Sequence, residues 1–521
     1  MVWWKNAPVV RSEALGCWGT ALSTRRNRSN EDNRRLRVAG PALVGCILLL
    51  GFLSGCSVGR DYVPPQPDVP DAWHQGLTVG LDDGTANLHT WWSTFDDPVL
   101  ARLIDRAVAG NRTVKIALAR VAEARAGARL ARGEWFPDVD GTAVGQRART
   151  SGDFPPPTES RTDNVYSTGI DASWEIDLWG RIRRSVESAN AGYDASVEDY
   201  RDALVVLFAD VASTYIDVRA LQARIRYALE NVETQRGTVS LTADRNKAGL
   251  VGKLDVRQAQ LNLASTESFI PTLRILLVQS IDRLAVLLGE HAGPLYEEFE
   301  AVAPIPSAQP AVTIAVPAEL LRQRPDIRRA ERELAAQTAK IGVATGDLYP
   351  RLSLSGSFAF EGTSDILEYG KRAWSFGPAI RWNLFDGGRV RARIKIEDAR
   401  TEQALAAYEQ TILVAFQDLE DGLVAYTQER IRRDALARSV IAAAYSVELV
   451  DTLYRTGLTD FQNVLDTQRS LFVQQDNLAE SEGRVTTNLI RIYKALGGGW
   501  AKEPSGATSI DGISERLSGD S

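Results

Sequence analysis

The chain has 521 residues, 44% of them apolar and 24% charged, which is enough for a substantial core and too balanced for a disordered polyelectrolyte. Its formal charge is −7, but the first 55 residues carry eight Lys/Arg against three Asp/Glu, leaving −12 on the rest and arguing against nucleic acid as a partner. The only cysteines are Cys17, Cys46 and Cys56 and the only histidines His74, His89 and His291, which excludes a disulfide, a Cys-ligated metal or a Cys nucleophile beyond Cys56 and disfavours most enzyme classes.

The first element is an apolar run, Ala42 to Leu53, behind the basic stretch RRLRVAG. It is too short to span a bilayer, which takes about 20 residues as a helix, and it fits the core of a signal peptide. It ends in Leu53-Ser54-Gly55-Cys56, which resembles a bacterial lipobox. Residues 1–55 therefore read as a signal peptide with an over-long N-terminal extension. Cys56 is the expected carrier of a diacylglycerol and an N-acyl chain such as palmitate; no other cofactor and no metal is expected. Pro-rich sequence follows, and proline costs ~3 kcal/mol in a helix interior. Residues 56–95 are thus expected to form a lipid anchor and extended tether.

Two similar blocks come next, residues 96–289 and 317–497, joined by a linker at 290–316 and followed by a flexible tail at 498–521. WEIDLWGRIR at 174 matches WNLFDGGRVR at 382, and KAGLVGKLDVRQAQ at 247 matches RTGLTDFQNVLDTQ at 455, both offset by 208. EWFPDV at 134 matches DLYPRL at 347, offset by 213. Constant spacing over more than a hundred residues marks an internal two-fold repeat.

Each block predicts a helix, two strands and a long helical hairpin. Leu352, Leu354, Phe358 and Phe360 alternate with serines, and Trp374, Phe376, Ile380, Trp382 and Leu384 with Ser375, Arg381 and Asn383. Tyr166, Ile170, Trp174 and Ile176 alternate likewise, whereas Val139 to Arg149 alternates poorly. Strands of about 10 residues with one aromatic face suit a membrane, where a sheet must close on itself. Four strands cannot close, so several chains must pool them. From Arg389 to Thr456 there is no proline, and Leu405, Tyr408, Ile412, Ala415, Leu419, Leu423 and Tyr426 form a coiled-coil seam. The matching seam runs from Leu204 through Phe208, Tyr215 and Ile225 to Leu229 and Val232. Gly249 to Gly252 and Gly457 to Asp460 turn each rod back on itself.

The lipobox with YVPPQPDVPDAW, RPDIRRAERELAAQTAKIGVATGDLYPRLSL at 324, SFGPAIRWNLFDGGRVRA at 375 and YRTGLTDFQNVLDTQRSLF at 454 together resemble the bacterial outer-membrane factors, the TolC-like channels. The similarity is to their lipoprotein branch, which serves drug and metal efflux pumps. It implies a mixed α/β membrane protein: a homotrimer whose protomers each give four strands to a 12-stranded transmembrane β-barrel, continuous with a periplasmic α-helical barrel. On that picture the Pro-rich strap lies along the outside of the barrel. The resemblance also implies an outer-membrane location, contact with outer-membrane lipid, a periplasmic adaptor, and an RND-type inner-membrane transporter that drives the flux. Such proteins catalyse nothing.

In the family a Tyr before the second-repeat glycine turn and an Asp and Arg after it take part in closure; here these are Tyr454, Asp466 and Arg469. Asp460 and Asn463 are further candidates, as are Lys253, Asp255 and Gln258 in the first repeat. Asp466 and Arg469 stand three apart and share a helix face. Copies of Asp466 around an axis would favour cations and make closure sensitive to pH and salt. The first repeat has Asn246 in place of Tyr454 and Leu261 in place of Arg469, so the second is expected to move more. A protein-secretion duct is the alternative within this class, and a pore-free coiled-coil envelope lipoprotein the alternative outside it. The lipobox favours efflux over the first, and the aromatic-faced strands argue against the second.

Overall fold

Alternating apolar sequence gives strands here, and long runs of strong helix formers give rods. The computed structural model describes residues 57–66, 81–83, 88–150, 161–307, 312–314, 323–362 and 371–500. The signal peptide, Cys56, the middle of the tether and the tail beyond residue 500 lie outside the described residues.

A short parallel pair, β1 (Leu81–Asp83) and β4 (Val312–Ile314), joins tether to linker. The main sheet comprises β2 (Asp138–Thr150), β3 (Arg161–Ile176), β5 (Arg351–Gly362) and β6 (Lys371–Arg381). It is antiparallel in the order β2-β3-β5-β6, so β2 and β6 are open edges. Residues opposite each other in a ladder share a face. Ile170 lies opposite Phe358 and Phe358 opposite Trp374, so the aromatic residues of three strands share one face. Trp374, Phe376 and Ile380 are 76%, 71% and 73% exposed, so nothing described in the chain covers that face. The other face is polar or small, with Asp171 opposite Ser357 and Ser357 opposite Ser375.

The weak alternation of β2 has a packing cause. Its apolar-face positions include Gly141, Ala143 and Gly145, and a Cβ on Gly145 would sit 3.5 Å from the Tyr166 ring. The Tyr166 ring of β3 thus lies over Gly145 of β2. One expectation is corrected: β6 ends at Arg381, so Trp382 and Leu384 do not continue its alternation. The Trp382 indole instead donates to Leu348 O at 3.1 Å, as Trp174 donates to Trp135 O at 2.9 Å.

The helices are α1 (Pro98–Gly110), α2 (Arg112–Gly133), α3 (Arg181–Lys247), α4 (Lys253–Leu288), α5 (Gly293–Glu298), α6 (Pro325–Gly346), α7 (Arg389–Thr456) and α8 (Phe461–Ala495). α3 and α7 have 67 and 68 residues and start 208 apart, each folding back through a short turn onto α4 or α8. α3 packs on α2, α4, α6 and α8, and α7 on α6 and α8. The core gathers where these cross, around Trp91, Leu100, Tyr215, Leu284, Leu288 and Leu419. Asp97 starts α1 by accepting from Val99 N at 2.8 Å and Leu100 N at 3.2 Å.

The α7 seam from Tyr408 to Tyr426 is buried, but on α3 Leu229 is 45% exposed while Ala228 and Val232 are buried. A straight helix turns in 3.6 residues, not 3.5, so the buried stripe drifts and steps to Ala228. The Pro-rich strap, 63–70, lies outside the described residues beyond Gln66; the stretch before it rests on the helices, with Val58 N donating to Trp179 O at 3.0 Å at the foot of α3 and Tyr62 OH to Glu331 of α6 at 3.3 Å. Arg184, with a side chain only 5% exposed, takes Asp61 as counter-charge at 2.5 Å. Glu187, one turn on in α3, balances the same guanidinium at 2.7 Å, and Asp61 adds a second carboxylate that ties this stretch to the helix. Gly59 permits the approach, because a Cβ there would lie 2.6 Å from Gly342 Cα.

Candidate gate and exit path

Both hairpin turns close at a left-handed glycine. Gly249 has φ +73° and Gly457 φ +77°, a region that suits glycine. Leu250 N returns to Arg245 O at 2.9 Å and Leu458 N to Leu453 O at 2.8 Å, closing the last turns of α3 and α7 alike.

Beside these turns the two hairpins meet. Tyr454 is buried among Ala259, Phe461, Val464 and Leu465, its ring 5.4 Å from that of Phe461. Arg245 reaches across from α3, its guanidinium carbon 4.8 Å from the Tyr454 ring centre. Its Nη1 donates to Tyr454 O at 2.9 Å and Arg455 O at 3.1 Å. A cation thus sits on the negative end of the α7 dipole and clamps one hairpin to the other. The Tyr454 hydroxyl and Arg245 Nε are buried without partners. Burial lifts the Tyr454 phenol above its ordinary value and Arg245 opposes the shift; Asp255, in the first turn of α4, adds to it.

The expected gate residues divide. Tyr454, and Asp255 through its charge, join this cluster. Asp466 and Arg469 do not pair with each other among the described residues. Asp466 accepts from Gln462 at 3.0 Å, while Arg469 Nε donates to Asn262 Oδ1 at 2.9 Å, joining α8 to α4. Asn463 donates to Thr459 at 2.8 Å. Asp460 caps α8 through its backbone only, Lys253 is exposed at the start of α4, and Gln258 is half-buried. Cys56 lies outside the described residues; its neighbour Ser57 rests on Gly180, at the foot of α3.

Arg245, Asn262 and Gln468 were not among the candidates. Buried Gln468 donates to Thr238 Oγ1 at 2.8 Å, part of a polar seam between α3 and α8 that includes Asn231 on Gln475 at 2.6 Å. Gln235 and Gln468 each keep one buried amide atom unpartnered in this seam, as does Asn262 on α4, which accepts from Arg469. An arginine in the last turn of a helix is commonplace; only its alignment with Leu453 in the second repeat sets it apart.

The polar face of the sheet ends over a cavity of about 480 Å³ lined by Glu175, Arg351, Arg381, Asp386, Arg389 and Arg393 among others. Arg351 and Arg393 share Asp347 at 2.6 and 3.1 Å. Asp386 accepts from Val390 N at 2.7 Å and Gly388 N at 2.8 Å, which holds its carboxyl below the usual range.

Known proteins share this sequence pattern and fold. The model of the Outer membrane efflux protein family matches residues 103–290 and again 316–498. A solvent efflux pump outer membrane protein, SrpC of Pseudomonas putida, is 34% identical over 86% of this chain and 97% of its own length. Nodulation protein T of Rhizobium leguminosarum bv. trifolii is 32% identical over 85% of this chain and 94% of its own. Among solved structures, the outer-membrane channel OprN superposes with a TM-score of 0.80 at 37% identity, covering 85% of this chain and all of that one. The chain belongs to the outer membrane efflux protein family, the TolC-like channels, and is a bacterial outer-membrane protein with a periplasmic helical portion.

Proposed function

We propose that this protein is the exit duct of a tripartite efflux pump, conducting small molecules passively from a periplasmic adaptor and an RND-type inner-membrane transporter to the outside. The observation that carries the reading is the sheet: one exposed aromatic face, one polar face, two open edges, and two long hairpins continuing from it. An open sheet in lipid leaves edge N–H and C=O groups unpaired at several kcal/mol each. Pooling strands from three copies closes a 12-stranded barrel around the polar face and gives the solute a wetted path. The internal repeat makes such a ring nearly six-fold in its backbone, and the hairpin tips form its periplasmic closure. Cys56 supplies a lipid anchor, one residue before Ser57, which rests on Gly180. The duct carries no catalytic step; the energy comes from the transporter. SrpC, named for solvent efflux, supports small solutes as the cargo.

The test is purification in detergent followed by insertion into planar bilayers, with susceptibility to antibiotics, solvents and metals compared after gene deletion. A trimer that forms discrete channels, and a deletion strain sensitised to small toxic compounds, are the expected results. A stably folded monomer in detergent that yields no conductance overturns the proposal.

A further inference from the structure

We infer that barrel closure pairs β6 of one copy with β2 of the next in a single register, Arg381 opposite Thr142, so that Arg381 meets Asp140 of the neighbouring copy on the polar face. This rests on the pooled-barrel reading above and adds which atoms make the seam.

The register follows from the way the two hairpins superimpose. Asp138 pairs with Ser173 in the first, and the offsets of 213 and 208 carry that pair onto Arg351 with Arg381, the pair observed in the second. The same offsets carry the hydrogen bond from Trp174 to Trp135 O onto the one from Trp382 to Leu348 O. Within the chain the hairpins join through β3 and β5, with Ser173 opposite Ser355. Repeating that junction at the open edges sets Arg381 opposite Thr142 of the next copy.

Charge supports the same seam. Arg381 lies directly opposite Arg351, and like charges there are destabilising unless each is balanced. Arg351 has Asp347 at 2.6 Å and Glu175 at 4.0 Å, whereas no carboxylate among the described residues pairs with Arg381. At the other edge Asp138 and Asp140 share the polar face with Thr142, and no cation among the described residues pairs with them. In the inferred register Asp140 is a diagonal neighbour of Arg381, roughly 7–8 Å away between Cα atoms and within reach of a long side chain. On the outer face the large Ile380 comes opposite the small Ala143, matching the cover of Tyr166 over Gly145 inside the chain.

The helices agree. α3 packs on α6 and α8, so the repeated junction sets α7 on α2 and α4 of the next copy. Ile431 on α7 and Ile275 on α4 are 60% and 58% exposed, and the residues that stand 208 away from them, Ala223 on α3 and Gly483 on α8, are buried in that junction within the chain.

The experiment is disulfide trapping in the lipidated, full-length protein. Thr142→Cys with Arg381→Cys should oxidise to a covalent ladder ending at three chains on a denaturing gel. Gln146→Cys with Arg381→Cys, displaced by four residues, should not. Linkage only in the displaced pair, in protein that still sizes as a trimer, overturns the register and leaves the barrel standing; a protein that is monomeric in detergent removes both. Separately, Arg381→Asp and Asp140→Arg should each lower the temperature at which the trimer dissociates in detergent, and the double exchange should restore it. A double variant no more stable than the singles overturns the ion pair.

Discussion

Replacing Arg245 by alanine removes a side chain that bridges the tips of both hairpins through the end of α7. Its Nη1 donates one hydrogen to each of two carbonyls, and counting only the shorter bond, a hydrogen bond from a charged donor, gives roughly 1.5–3 kcal/mol. The cation over the Tyr454 ring adds about 0.5–2 kcal/mol, and a positive charge at a helix C-terminus about 0.3–1 kcal/mol. Against this, Nε is buried without a partner, which costs roughly 1–3 kcal/mol. The balance is about 2 kcal/mol in favour of the clamped tip, or about a 30-fold change in a closed-to-open ratio at 1.4 kcal/mol per decade. Single-channel recording in planar bilayers should show open probability rising by about that factor in Arg245→Ala. Arg245→Met, which keeps the apolar stem but no cation, should behave like alanine. A trimeric Arg245→Ala protein with unchanged open probability would refute the clamp. Tyr454 supplies the companion result. Because its hydroxyl is buried without a partner, Tyr454→Phe should leave closure unchanged or tighter, while Tyr454→Ala, which empties the cluster, should open it.

Cys56→Ala should abolish incorporation of labelled palmitate and reduce delivery to the outer membrane, while detergent-extracted protein still forms channels; persistent labelling would remove the lipid anchor from the account. Asp466→Ala combined with Arg469→Ala should raise single-channel conductance, with Arg469→Ala alone giving part of the effect because it releases α8 from Asn262. Burial lifts the Glu198 carboxyl above its ordinary 4.5, against Arg201 and Arg328. A raised folded-state value gives stability that is full below 4.5 and lost as pH rises through that raised value. Glu198→Gln should therefore flatten the denaturation midpoint against pH, and an unchanged slope would place the titration elsewhere.

The rods were legible because their signals are local: no proline between Arg389 and Thr456, and glycine turns at Gly249 and Gly457. The phase of β5 and β6 was legible from strict alternation, since the pleat leaves no other way to segregate Phe358 from Ser357. What escaped is what depends on a second segment. Gly145 blurs β2 because its cover, the Tyr166 ring, comes from β3. Asp61 seeks Arg184, which local sequence gives no reason to bury. At the candidate gate, Tyr454 and Asp466 could be located by their distance from a glycine, but whether Asp466 and Arg469 bond each other or turn to Gln462 and Asn262 depends on neighbours outside their own helix. Arg245 carried only one faint mark, its alignment with Leu453 in the second repeat, because its role arises only where α3 ends beside α7.

The length of α3 and α7 has a mechanical consequence. At about 1.5 Å rise per residue each is an arm of ~100 Å, supported at one end by the sheet and by the crossing with α6. Pivoting such an arm by a single degree displaces its far end by ~1.7 Å. The contacts of Asp61 with Arg184 and of Gly59 with Gly342 lie at the fulcrum. In the proposed duct, leverage would carry a small wedge at that fulcrum to the tips as a displacement of ångströms, a second way to act on their closure besides the bonds between them.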